Sequence, residues 1–310
     1  MINGIINVYK EKGYTSHDVV AKLRGILKQK KIGHTGTLDP EAEGVLPVCL
    51  GKATRVCDML TEKDKVYQAV MLLGQKTDTQ DTTGTVLETR EVTCTSEEIE
   101  KTAASFVGRY DQIPPMYSAL KINGKKLCDL ARAGVEVERK PREVTIFSIN
   151  IEEINLPSVK MTVHCSKGTY IRTLCQDIGE KLGCGGCMES LLRTRVAQFT
   201  WKKAFKLSEI EQRVQKLRQE TDAELTVEML GDMAVRTDVV FKEYPEVFAK
   251  EGFEKMLYNG NAMQPEWVTG WHKSMEKEKL RLYDAKKQFI GIYQYNNKYG
   301  DIRPIKIFME

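Results

Sequence analysis

The chain has 310 residues, 41% of them apolar and 29% charged, with a formal net charge of +4. That composition is too apolar for intrinsic disorder, and the longest apolar runs are too short for a membrane-spanning helix. The N-terminus lacks the basic start, long apolar middle and small-residue cleavage site of a secretory signal. The eight cysteines therefore read as reduced thiols in a cytoplasmic protein. The length predicts one large domain with a small one appended.

In chain order, GIINVYK (4–10) predicts a strand. Residues 15–30 place Val19, Val20, Leu23, Ile26 and Leu27 on one helical face, with Thr15 and Asp18 in capping-box spacing. The outer face of that helix is basic. A turn-rich loop follows, then VLPVCLG (45–51) as a strand and KATRVCDMLTE as a short helix. KVYQAVMLLG (65–74) is apolar enough for a central strand. GTVLETREV predicts another strand, and TSEEIEKTAASFVG a helix capped by Thr95 and Glu98. Residues 112–144 mix loop and helix, with seven basic residues against four acidic, and predict a mobile clamping insertion. Residues 159–183 read as strand, Lys-Gly turn and a helix closed by Gly183. Residues 207–231 predict an acidic linking helix, and the aromatic–polar alternation of the tail a small β-rich domain. Strands and helices alternate without a βαβ rhythm, so the main body is α+β with a mixed or antiparallel sheet.

Charge is unevenly spread. Residues 1–40 hold seven Lys/Arg against three Asp/Glu and residues 160–206 nine against three, while 207–250 hold six against ten. A basic body followed by an acidic segment suits a polyanionic partner, and equally a solvated mixed surface.

The loop GHTGTLDPEAEG (33–44) sets Asp39 before Pro40 among turn formers. A nucleotide P-loop fails on spacing: six residues separate Gly44 from Gly51, and Lys52 is followed by Ala53. Three carboxylates in the loop would also repel phosphate. A plain turn and a platform presenting one carboxylate both stay open. Cys184 and Cys187 form a lone C-x-x-C without the second pair that a structural zinc site needs, so no metal is expected. There is no G-x-S-x-G, and the four histidines form no readable triad. Carboxylate chemistry beside basic surfaces is what remains.

GHTGTLDPEAEGVLPVCLGKATR (33–55) resembles the catalytic motif of the TruB family of tRNA pseudouridine synthases. GYTSHDVVAKLR, DKVYQAVMLLGQKTDTQDTTG, IPPMYSALKINGKKLCDLARAGVEVER and HCSKGTYIRTLCQDIGEKLGCGG are similar to further blocks of that family, in the same order, so the likeness spans residues 3–200. YNGNAM and the final strands resemble, more weakly, the family's small PUA-like RNA-binding domain. The resemblance implies a catalytic domain over 1–235, with 112–144 as an RNA-clamping insertion, and a PUA-like domain over 236–310. It implies Asp39 as the catalytic carboxylate, paired with Arg172, and Tyr67 as the residue stacking on a flipped uracil. It further implies His34 as the residue entering the T loop, and Tyr170 and Leu191 as pocket residues. Substrate and partner would be the T stem-loop of tRNA, with no cofactor, no metal, no membrane and no obligatory protein partner, the chain acting as a monomer.

Two positions depart from the family pattern. Glu11 follows Lys10 where proline is usual, which implies a looser turn. Leu192 stands where arginine is usual, which implies one cation fewer near the RNA. The rival readings are an RNA-refolding protein on the same scaffold and a carboxylate-based hydrolase of free nucleosides. The basic faces and the appended small domain disfavour the second.

Overall fold

The computed structural model describes residues 1–309. Its main body is built on a ten-stranded sheet. β1 (Gly4–Lys10) leads to α1 (Ser16–Leu27), then β2 (Ile32–His34) and β3 (Glu43–Leu50). α2 (Cys57–Thr61) precedes β4 (Lys65–Leu73), and the small hairpin of β5 (Gln75–Thr77) and β6 (Val86–Thr89) precedes α3 (Ser96–Ala104) and β7 (Gly108–Gln112). The insertion holds a hairpin, β8 (Lys121–Ile122) and β9 (Lys125–Lys126), and α4 (Leu127–Arg132). The long β10 (Arg142–Asn155) and β11 (Ser158–Cys165) follow, then α5 (Ile171–Lys181), β12 (Gly186–Val196), β13 (Phe199–Thr200), α6 (Leu207–Glu220) and β14 (Ala234–Val235).

Across the sheet the order is β14-β1-β3-β12-β4-β11-β10-β7, with β2 on β3 and β13 on β12. Every pairing is antiparallel except β3 with β12, which meet in parallel at Leu192↔Glu43 and Arg193↔Gly44. The expected α+β class with a mixed sheet is therefore the observed one. The loop bearing Asp39 enters β3 at this parallel junction. A side chain at Gly44 would put its Cβ 2.3 Å from the Arg193 carbonyl oxygen, and φ there is +105°, so glycine is required.

Local chemistry explains the elements. β4 alternates strictly, with Tyr67, Ala69, Met71 and Leu73 buried on one face, as a strand covered on one side should. α1 and α3 both start with complete capping boxes, Thr15 with Asp18 and Thr95 with Glu98. α1 buries Val19, Val20, Leu23 and Leu27 against α6 and β1 in one cluster, while α3 and α5 cover the opposite half of the sheet in another. The helix expected over 207–231 ends at Glu220. Thr221 is extended and its hydroxyl accepts from Ala223 N–H at 3.0 Å, which turns the chain so that Leu225, Leu230 and Met233 join the α1 cluster.

Beyond β14 the chain forms β15 (Glu246–Ala249), α7 (Glu254–Tyr258), β16 (Val268–Thr269), β17 (Lys279–Tyr283), β18 (Phe289–Asn296) and β19 (Asp301–Ile307), with the strands ordered β16-β15-β17-β18-β19. This second sheet has its own apolar cluster. A further cluster joins the two sheets, placing Ile5, Val45 and Cys49 with Val240, Phe241, Ile292 and Phe308. All eight cysteines are free; Cys184 is buried in the bend before β12, while Cys187 is a buried residue of β12 itself, opposite Leu72 of β4. Among the described residues no helix is long and apolar enough to cross a membrane, and no three metal-binding side chains converge.

Candidate active site

Residues 35–42 join β2 to β3 and carry Asp39. Three side chains from elsewhere hold this loop by its main chain. Ser16 Oγ, at the start of α1, accepts from Leu38 N–H at 3.0 Å and donates to the Leu38 carbonyl at 3.4 Å. Lys10, at the end of β1 and 0% exposed, donates from Nζ to the carbonyls of Pro40 (2.9 Å), Ala42 (2.6 Å) and Glu11 (3.1 Å). Arg193 in β12, 1% exposed, donates to the carbonyls of Val45 (2.8 Å), Gly36 (3.1 Å) and Thr37 (3.4 Å). Both cations sit in low dielectric with main-chain oxygens as their bonded partners. Burial pushes the Lys10 ammonium down to about 8, and the Asp39 charge is the strongest influence opposing it.

Asp39 itself meets Arg172, the second residue of α5. Arg172 Nε lies 2.9 Å from Oδ2 and Nη2 3.3 Å from Oδ1, a two-point contact that fixes the plane of the carboxylate. The guanidinium also donates from Nη1 to the Thr79 carbonyl at 3.0 Å and from Nη2 to the Tyr117 carbonyl at 2.8 Å. Asp81 Oδ2 stands 3.6 Å from Nη1. One buried side chain thus ties together the 35–42 loop, the 79–81 turn and the root of the insertion. Although 39% of the Asp39 side chain remains open, the packed protein around its carboxyl removes enough water for burial to raise its pKa. Arg172 is the largest influence pulling it back down, Asp81 pushes it up, and Lys10 lowers it. A carboxylate held in plane by arginine, with one edge open, can approach a substrate as nucleophile, base or charge stabiliser.

The other residues singled out from the sequence lie around this pair to different degrees. Tyr67 and Leu191 are each 9% exposed and share the apolar cluster of Leu38 and Ala42, directly behind the loop. Burial raises the Tyr67 phenol pKa, and Arg193 beside it pulls the other way. Tyr170 caps the start of α5, next to Arg172, with its main chain held on both sides by the Gln112 amide. His34 is not brought to the Asp39–Arg172 pair. It sits at the loop's start, its Nδ1 accepting from Gly36 N–H at 3.4 Å and its ring edge-on to His17 at 5.5 Å. Burial, then His17 and Arg193, lower its pKa.

Lys10, Ser16, Asp81, Gln112 and Arg193 were not singled out from the sequence as site residues. Their contacts are made to main-chain atoms or through Arg172, which no local spacing announces. At the turn after Lys10, Gly13 N–H reaches the Pro40 carbonyl at 3.0 Å, and the Glu11 carboxylate lies 3.4 Å from Lys206 Nζ. Leu192 rests against Gly44, and the arginine beside it, Arg193, is the one that faces inward to the loop. A crevice of about 360 Å³ lined by Lys52, Arg236, Phe289 and Phe308 contains none of these residues.

Residues 24–171 match the family described as TruB family pseudouridylate synthase (N terminal domain), and residues 172–235 match the tRNA pseudouridylate synthase B C-terminal domain. The chain is 52% identical to tRNA pseudouridine synthase B of Lachnoclostridium phytofermentans, over 99% of this chain and 100% of the relative. It is 41% identical to tRNA pseudouridine synthase B of Clostridium acetobutylicum, over 94% and 95%. Among solved structures it is similar to the one titled crystal structure of a Cbf5-Nop10-Gar1 complex, with TM-score 0.75, 26% identity and coverage of 99% of this chain and 85% of that one. The second sheet, beginning at Glu246, lies beyond both family matches.

Proposed function

The chain belongs to the TruB family of pseudouridylate synthases, and on that premise we propose that it converts uridine to pseudouridine at position 55 in the T loop of tRNA, with Asp39 as the catalytic carboxylate. The observation that carries the proposal is the Asp39–Arg172 contact, two-pointed on one side and open on the other. The reaction breaks the bond from C1′ to N1 and forms one from C1′ to C5. The C5 proton leaves and N1 gains one, so substrate and product are isomers and no co-substrate enters the balance. Asp39 assists either by adding to the reacting nucleoside or by removing a proton at the sugar.

The target base lies inside a folded loop and must be extruded, at a cost of a few kcal/mol. Stacking on Tyr67 returns roughly 1–3 kcal/mol. Tyr170 and Leu191 close the pocket so that the detached uracil is retained while it turns, and His34 enters the vacated loop. Residues 1–235 form the catalytic unit in this reading, and 236–310 a PUA-like unit that adds RNA contact. The insertion at 112–144 clamps the RNA, with movement confined to its interior, because Arg172 holds Tyr117 and Arg139 donates to the Pro114 carbonyl at 3.2 Å. The chain acts on tRNA as a free-standing monomer.

The test is to incubate the protein with an unmodified tRNA transcript and map pseudouridine by position. Product confined to the T loop is expected. Product at another site, or none, overturns the proposal.

A further inference from the structure

Gln112 is 1% exposed and is the last residue of β7, in register with Arg142 at the first position of β10. It therefore stands at the root of the 112–144 insertion. Its side-chain amide reaches across to the start of α5. Oε1 accepts from Tyr170 N–H at 2.7 Å and Nε2 donates to the Tyr170 carbonyl at 2.9 Å. Tyr170 is the N-cap of α5, and its own side chain makes no capping hydrogen bond. A helix start without a local cap needs partners from elsewhere, and Gln112 gives the Tyr170 N–H an acceptor while adding a donor to the carbonyl of the same residue.

Two residues further on, Arg172 leaves the helix to meet Asp39. Any shift of the first turn is passed directly to the guanidinium, since only Ile171 stands between Arg172 and the residue that Gln112 holds. The same guanidinium holds Tyr117, five residues past Gln112, so the root of the insertion is fastened twice to the start of α5. We propose that Gln112 is a positioning residue for the reaction: its amide fixes the start of α5 and thereby the geometry of Arg172 on Asp39. This rests on the reading of Asp39 and Arg172 given above. Gln112 reaches the chemistry through Tyr170 and Arg172 and touches no reacting atom itself.

The experiment compares Gln112→Leu, Gln112→Glu and Arg172→Lys with the unaltered chain, using single-turnover rates at saturating tRNA, RNA affinity and the acid side of the pH–rate profile. Leucine keeps the bulk and removes both hydrogen bonds. Its saturated rate should fall on the order of 10²-fold, with affinity within about two-fold and the acid limb moved to higher pH as Arg172 loosens its hold on Asp39. Glutamate, when ionised, accepts from Tyr170 N–H but repels the Tyr170 carbonyl, whereas its neutral form restores both bonds. Its rate relative to the unaltered chain should therefore climb as pH is lowered. A folded Gln112→Leu with an unchanged saturated rate overturns the inference, as does a loss confined to RNA affinity. If Gln112→Leu does not fold, the Gln112→Glu ratio decides, and a ratio flat with pH overturns it. Loss of rate in Arg172→Lys without loss in Gln112→Leu refutes this inference alone. An unchanged Arg172→Lys refutes the reading of the Asp39–Arg172 pair on which it stands.

Discussion

Three buried cations surround Asp39, and only Arg172 is bonded to it; Lys10 and Arg193 spend their donors on main-chain carbonyls in and beside the loop. Their charges still favour the carboxylate, while burial and Asp81 disfavour it, with burial the stronger. Because the Asp39 pKa is raised in the folded protein, the anion is lost at a higher pH than for an ordinary aspartate. The pH–rate profile should accordingly show an acid limb above the usual aspartate range. Arg172→Lys keeps the charge but loses the planar fork, and should slow single turnover with little change in RNA affinity. Arg172→Met should be slower still and move the acid limb further up, so that residual activity recovers as pH rises. Its cost should stay below the roughly 3–5 kcal/mol of fully buried pairs, since Asp39 keeps an open edge. Unchanged saturated rates in both variants would remove Arg172 from the chemistry. Lys10 predicts the alkaline side: with its ammonium pushed down to about 8, deprotonation leaves two donors for three carbonyls. The rate should fall as pH rises through that value, and Lys10→Met should be slow at all pH and lack the limb. Asp39 and Arg172 could be picked out in the sequence as candidates because each lies in a block that resembles the family's motifs. Lys10 and Arg193 could not, because a side chain that binds distant carbonyls leaves no periodic or compositional trace.

Elements close to the loop should affect rate, and elements remote from it stability alone. Gly44→Ala forces a side chain into a backbone at φ +105° and against the Arg193 carbonyl. The backbone conformation alone costs about 1–3 kcal/mol, and displacing β12 at Arg193 should slow the reaction as well. Thr95→Ala removes the cap of α3, where Glu98 N–H reaches Thr95 Oγ1 at 3.3 Å, and should cost about 1 kcal/mol. Thermal unfolding checks both variants, and the turnover of the folded fraction should fall for Gly44→Ala but not for Thr95→Ala. The caps and the faces of α1 and α3 were legible because capping boxes and apolar spacing are local signals. The early end of α6 was not, since the pull of Leu225, Leu230 and Met233 into the α1 cluster is a tertiary effect. Nor could the parallel contact of β3 with β12 be read, as it joins residues about 150 positions apart.

Across the whole molecule, the second sheet is fastened to the back of the first. Beyond the shared apolar cluster, Arg55 donates to the carbonyls of Ile307 (2.8 Å) and Met309 (2.7 Å), and Lys306 lies 2.6 Å from Asp58. The appended unit is therefore packed firmly against β1 and β3. With basic stretches at 1–40 and 160–206, tRNA affinity should fall steeply between low and moderate salt as phosphate contacts release counterions. An affinity flat with salt would point to a small substrate instead. The central claim, that one loop carboxylate performs the isomerisation while the rest of the molecule holds the RNA, is tested most directly by Asp39→Asn. Single-turnover formation of T-loop pseudouridine at saturating unmodified tRNA should be abolished in this variant, with RNA affinity within several-fold of the unaltered chain. Pseudouridine formed by Asp39→Asn at a measurable rate would contradict it.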